Sequence, residues 1–206
     1  MKQFSDACEQ NKAPILAVLH EAFRDTQRVL EIGSGTGQHA VHFAGHLSHL
    51  HWQTSDLPDN HASIGAWIAD SGLANLSPPL ELDVAAGHWP QQTFDGVFSA
   101  NTTHIMHWPD VCCMFAGIGT LLECDGVFCL YGPFNYHNTY SSPSNAHFDE
   151  WLRDRDPGSG IRNFEDLDAL ARTHGMHLQA DYEMPVNNRL LVWVKGRDTD
   201  TTVSAQ

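Results

Sequence analysis

One stretch constrains this chain more than any other: Val29-Leu30-Glu31-Ile32-Gly33-Ser34-Gly35-Thr36-Gly37, an acid two residues ahead of a G-x-G-x-G run. Arg28 to Ile32 reads as a short buried strand, and Ala40, Phe43, Ala44 and Leu47 recur beyond the glycines at helical spacing. Glycines between a strand and a helix supply unusual dihedrals and let backbone approach a ligand closely. A dinucleotide fingerprint would need glycine or alanine one place further on, where Gln38 stands. An acid at the end of the strand would also repel a pyrophosphate from the helix N-terminus. The motif therefore suits a cationic ligand and opposes a nicotinamide-dependent oxidoreductase.

Strand and helix patterns alternate along almost the whole chain, which predicts a doubly wound α/β sheet. A helix opens at Asn11-Lys12-Ala13-Pro14, with Pro14 in its first turn and Ile15, Val18, Leu19, Ala22 and Phe23 on its apolar face. Further strands are expected at His51–Ser55, Leu80–Leu82, Thr93–Ala100 and Gly126–Tyr131, with helices over Asn60–Asp70 and Pro109–Leu122. Gly132 to Asn145 has no clear period and reads as a loop over the site. Helical patterns at Phe148–Leu152 and Phe164–Thr173 follow, then two runs, Leu178–Met184 and Leu190–Lys195, separated by Pro185-Val186-Asn187-Asn188. That turn makes the final pair antiparallel.

The chain has 206 residues, of which 42% are apolar, enough for one domain with a real core, expected over 1–196 with a polar tail over 197–206. A net charge of −14 repels phosphate backbones and disfavours nucleic acid as a partner. No signal peptide or membrane span is evident, so a cytoplasmic location is expected. Five cysteines without C-x-x-C suit reduced thiols. His42 and His46 share a helix face but lack a partner carboxylate at the H-E-x-x-H spacing, so no metal is expected. Nothing in the chain sets an oligomeric state.

With its acid followed by x-G-x-G-x-G, the first motif resembles that of the class I S-adenosylmethionine-dependent methyltransferases. The resemblance implies a Rossmann-like, seven-stranded, mostly parallel sheet with an antiparallel last strand, and S-adenosylmethionine as cofactor. It implies that Glu31, Gly33, Ser34, Gly35 and Gly37 form the cofactor turn. Asp56, followed by Leu57, then matches the acid that binds both ribose hydroxyls, and Asp83, with Val84, the position that reads the adenine amine. Asp95 to Asn101 matches the fourth motif. More narrowly, Ala7–Leu16, Asn101–Trp108, Tyr131–Phe134, Ser144-Asn145, Gly160–Arg162 and Met184–Asn188 resemble a family of small methyltransferase-like proteins first catalogued as a domain of unknown function.

Ala100-Asn101-Thr102-Thr103-His104 stands where enzymes methylating exocyclic amines in nucleic acid carry an acidic or polar residue followed by P-P-aromatic, so a small-molecule acceptor is expected. A neutral imidazole at His104 or His107 either takes a proton from the acceptor or packs as a polar neighbour, and His104 is the catalytic candidate. Lys12 and Asn11 either cap the first helix or lie over the cofactor's amino-acid end. Tyr131, Phe134, Tyr136 and Tyr140 stack on a planar acceptor or the sulfonium, or pack as a lid. Asn145 is a further substrate candidate, and Arg162 pairs either with an acidic substrate group or with one of the chain's carboxylates. The function these residues imply is methyl transfer to a small molecule, the alternative being a cofactor-binding regulatory or scaffolding protein without turnover.

Overall fold

A computed structural model describes residues 1–197; the expected tail, apart from Arg197, lies outside the described residues. The chain runs α1 (Asp6–Ala22), β1 (Arg28–Ile32), α2 (Gln38–His46), β2 (His51–Asp56), α3 (Pro58–Ser71), β3 (Leu76–Glu81), β4 (Phe94–Ala100), α4 (Trp108–Leu121) and β5 (Leu122–Gly132). It continues through β6 (Phe134–Asn135), α5 (Pro143–Arg155), β7 (Arg162–Asn163), α6 (Phe164–Thr173), β8 (Met176–Met184) and β9 (Asn188–Lys195). The seven-stranded sheet has the order β3-β2-β1-β4-β5-β9-β8. Its first five strands pair in parallel, and β9 runs antiparallel to both β5 and β8. The order therefore reverses between β1 and β4, where an open α/β sheet leaves a crevice at the carboxyl ends of its strands.

Both faces of the sheet are covered. Val29 and Leu30, adjacent on β1 and each 0% exposed, point to opposite faces. Val29 joins Ile15, Leu19, Phe43, Trp52 and Phe98 on one side. Leu30 joins Phe94, Phe115, Phe128 and Trp193 on the other.

Several boundaries differ from the sequence expectation. Helix α1 begins at Asp6, where the Ser5 side chain accepts from Cys8 N (3.4 Å), so Pro14 lies inside the helix rather than in its first turn and Asn11 is not a cap. Strand β3 starts at Leu76 and runs through Pro78-Pro79; at the sheet edge, a strand can do without the two missing N–H donors. The expected loop contains β6, paired with β7, and the start of α5, where Ser142 Oγ accepts from Asn145 N (3.1 Å). Among the described residues, no helix is long and apolar enough to cross a membrane.

Candidate functional site

The glycine turn joins β1 to α2 at the crevice. Gly33 and Gly37 have φ of 73° and 93°. A Cβ on Gly33 would lie 2.6 Å from Thr102 Cγ2, and one on Gly37 would lie 3.0 Å from Ile64 Cα. These glycines let the turn pack against the segment after β4 and against α3. Gly35 faces open space, with nothing within 4 Å of where its Cβ would be. The backbone N–H groups of Gly33 and Ser34 donate to Ser55 O (3.1 and 3.0 Å), which fixes the turn to the end of β2.

Two carboxylates brace the turn. Asp56 Oδ2 accepts from Gly35 N (2.6 Å), while its Oδ1 accepts from Leu57 N (2.7 Å) and Asn60 Nδ2 (2.8 Å). These donors fix the carboxylate's orientation before any ligand arrives. Glu31 lies beneath, 1% exposed, with Oε2 accepting from Ser34 Oγ (2.8 Å) and Trp52 Nε1 (3.2 Å). Burial raises the Glu31 carboxyl to about 7, the two hydrogen bonds oppose the rise, and the Asp56 charge adds to it.

Two cavities flank the turn and share Gly33, Gly35, Ala100 and Asn101 on their walls. The smaller, about 410 Å³, is lined by Asp56, Leu57, Asp83, Val84, Ile105 and Met106, among others. The larger, about 560 Å³, includes Cys8, Asn11, His39, His104, Tyr131 and Phe148 in its wall. Asn101 stands between them with φ of 59°, its N–H donating to Tyr131 O (2.9 Å). A left-handed non-glycine residue at the end of a central strand is a strained backbone held by its surroundings.

The larger cavity is walled by buried neutral polar groups. His104 is 5% exposed, its ring meets Phe148 edge to face at 5.3 Å, and its Nδ1 is buried without a hydrogen-bond partner. Burial, then the Arg162 charge, lower its pKa to about 4. His39 stacks on Phe43 at 5.2 Å, places Nε2 2.6 Å from Asn11 Oδ1 and Nδ1 4.0 Å from Cys8 Sγ. Burial also holds His39 at about 4. Burial raises the pKa of the Tyr131 hydroxyl, and the Asn11 and Asn188 side chains oppose the rise. At the mouth, Val186 has φ of 60° and is 73% exposed. Asn145 Nδ2 holds that turn by donating to Asn187 O (3.1 Å).

The sequence candidates divide accordingly. Gly33, Gly35, Asp56, Leu57, Asp83, Val84, Asn101, His104 and Asn145 line one cavity or both, and so does Ser34. Strand β3 ends at Glu81, so Asp83 does not end the strand; its Oδ1 accepts from Ala85 N (2.9 Å) in the following turn. The remaining candidates lie elsewhere. Glu31 is behind Ser34, and Lys12 pairs with Glu9 (2.5 Å). Phe134 is fully buried in the core, and the exposed Tyr140 donates to Asp149 Oδ2 (2.7 Å). Tyr136 stacks on Phe164, leaving Tyr131 as the member of the aromatic set that reaches the cavity. Among the described residues Arg162 makes no carboxylate pair; it donates to Thr103 O (3.0 Å), Gly158 O (2.9 Å) and Met106 O. His107 pairs with Asp156 (2.8 Å), and Asp95 accepts from Gln27 and Arg28 N at the far end of the sheet.

His39, Cys8 and Asn188 are site residues that the sequence reading missed. For Cys8 a signal existed: it lies three residues before Asn11 on the helix face of Ile15. His39 gave none, because its role depends on α1 crossing α2.

This crevice, glycine turn and strand order define a Rossmann-like fold of the class I methyltransferase type. Similar solved structures include an O-methyltransferase family protein from Burkholderia thailandensis, with a TM-score of 0.82 at 14% identity over 94% of this chain and 58% of that one. Another is the O-methyltransferase family 2 protein from Planctomyces limnophilus in complex with apigenin, with a TM-score of 0.79 at 12% identity over 90% and 56% of the two chains. Human N-acetylserotonin methyltransferase in complex with S-adenosylmethionine gives 0.75 at 13% identity over 93% and 53%. The chain thus spans little more than half the length of these proteins. The chain itself belongs to the family described as "Protein of unknown function (DUF938)", which matches residues 2–195.

Proposed function

We propose that this protein binds S-adenosylmethionine and transfers its methyl group to a small-molecule acceptor. The observation that carries this reading is Asp56, oriented by the Gly35 and Leu57 N–H groups in the wall of the smaller cavity, which shares Gly35 and Asn101 with the larger. The open side of Gly35 leaves room for a ligand against bare backbone. Asp56 would take the ribose hydroxyls, Asp83 and Val84 the adenine, and Gly33, Ser34 and Asn101 the amino-acid end. Glu31 would compensate the positive sulfonium from beneath the turn. Gly37 would act through packing, by holding α2 against α3.

The sulfonium supplies a good leaving group, so the protein's part is to align acceptor, methyl and sulfur and to exclude water. His104, with a neutral ring in the wall of the larger cavity, would receive the acceptor's proton. A pocket kept for binding alone has no need of such a group, which favours turnover over a scaffolding role. Calorimetry with S-adenosylmethionine tests the reading. Micromolar binding to the native chain is expected, with Asp56→Ala weakened at least ~10-fold by loss of charge-assisted hydrogen bonds. Equal affinity in the two proteins would overturn the placement.

A further inference from the structure

The walls of the two cavities differ in charge. The smaller carries Asp56, Asp83 and Asp110. Among the described residues lining the larger there is no Lys, Arg, Asp or Glu; Ser5, Gln10, Asn11, Asn145 and Asn188 supply neutral polar groups instead. His39 and His104 join that neutral set, because burial holds both far below the usual histidine range. Arg162, whose charge acts on His104, lines neither cavity and is occupied by backbone carbonyls.

We propose that the methyl acceptor is an uncharged small molecule bearing a hydroxyl group, with that oxygen seated beside the His104 imidazole in the larger cavity. This rests on the methyl-transfer reading above. A carboxylate or phosphate entering the larger cavity would give up its water shell and meet no Lys or Arg there. An ammonium would meet no carboxylate and would face the like charge of the sulfonium. The cofactor's amino-acid end escapes this restriction because it is a zwitterion and brings its own counter-charge. A hydroxyl both donates and accepts, so it suits a wall of neutral polar groups.

The weak basicity of His104 suffices for a hydroxyl acceptor. Methylating a hydroxyl oxygen makes its proton strongly acidic, and a base of pKa about 4 can take it. Methylating a neutral aliphatic amine leaves an ammonium proton that such a base cannot remove. In the step itself, the acceptor oxygen forms a bond to the methyl carbon while the carbon–sulfur bond breaks and leaves its electron pair on sulfur, giving the thioether. The hydroxyl proton passes to the neutral His104 imidazole and then to solvent.

The test uses the full chain, methyl-tritiated S-adenosylmethionine and a protein-free extract of the cells that produce the protein. The extract is split into anion-exchanger-bound, cation-exchanger-bound and unretained neutral fractions. Label is expected in product from the neutral fraction, at least about 10-fold above either charged fraction, in a form that survives mild alkali as an ether does. Label arising mainly from a charged fraction, or released by alkali as methanol from an ester, overturns the proposal and leaves methyl transfer standing. No label from any fraction, with calorimetric cofactor binding intact, overturns methyl transfer as well. On the active fraction, His104→Asn should lower turnover about 100-fold with cofactor affinity unchanged. Undiminished turnover would remove His104 as the seat of the acceptor oxygen.

Discussion

Arg162 shows how little a residue's type says about its partner. A guanidinium in so acidic a chain is expected against a carboxylate, yet its fork is spent on the carbonyls of Thr103, Met106 and Gly158. Those carbonyls belong to the turn that presents His104 and to the segment after α5. Arg162 thereby braces that turn against the segment after α5. Arg162→Met should cost about 2–4 kcal/mol, at roughly 1 kcal/mol per buried hydrogen bond with the unsatisfied carbonyls added. The urea midpoint should fall, turnover should fall, and KM for S-adenosylmethionine should stay near its native value. Arg162→Lys should rescue little, since one ammonium cannot span three acceptors. Lys12 and Asn11 give a related lesson. The sequence reading sets both at the start of the helix; the structure puts them a turn inside α1, where Asn11 shares the buried face of Ile15 and Leu19 and Lys12 pairs with Glu9.

At the scale of elements, the glycine turn works through its neighbours. Gln38, which argues against a dinucleotide site, has a structural use: its Oε1 accepts from Ser5 N (2.5 Å) and its Nε2 donates to Glu9 Oε1 (3.0 Å). The start of α1 is thereby tied to α2, and α1 supplies Cys8 and Asn11 to the larger cavity. Gly37 governs the contact of α2 with α3. Gly37→Ala combines a left-handed backbone with a Cβ 3.0 Å from Ile64 Cα, and the obstacle is backbone, not a flexible side chain. A loss of about 2–4 kcal/mol is expected in urea unfolding, summing roughly 1–2 for the strain with the overpacking. Gly35→Ala meets open space and carries the strain alone, so it should unfold less readily than Gly37→Ala while still obstructing the ligand side. Equal midpoints for the two variants would contradict this packing.

For the whole molecule, three buried groups set the pH dependence of stability. His39 and His104 fall from 6.5 to about 4 on burial, so their contribution is complete above 6.5 and is lost as pH falls towards 4. Glu31 rises from 4.5 to about 7, so its contribution is complete below 4.5 and is lost as pH rises through 7. Between 4.5 and 6.5 the two histidines outweigh the one carboxyl, and stability should rise with pH. Glu31→Gln removes the opposing group. This variant should gain about 1–3 kcal/mol at pH 8 and lose stability more steeply than the native chain on moving from pH 6.5 to pH 5, as read from urea midpoints. A native-like profile in Glu31→Gln would show that Glu31 is ionised at no cost to the fold.

Local chemistry settled the α/β class, the strand–glycine turn–helix unit, the acid after β2 and the antiparallel last strand, because each is written in neighbouring residues through backbone freedom and side-chain period. Asp56, Asn101 and His104 could be placed for the same reason: each sits at or just past the end of a strand, where the crevice must be. The cavity wall was decided by tertiary structure. Whether Phe134 packs in the core or faces a ligand, whether Arg162 meets a carboxylate or a carbonyl, and whether His39 touches Asn11 depend on how helices cross over the sheet, and that crossing is fixed by long-range burial that no short window of sequence contains.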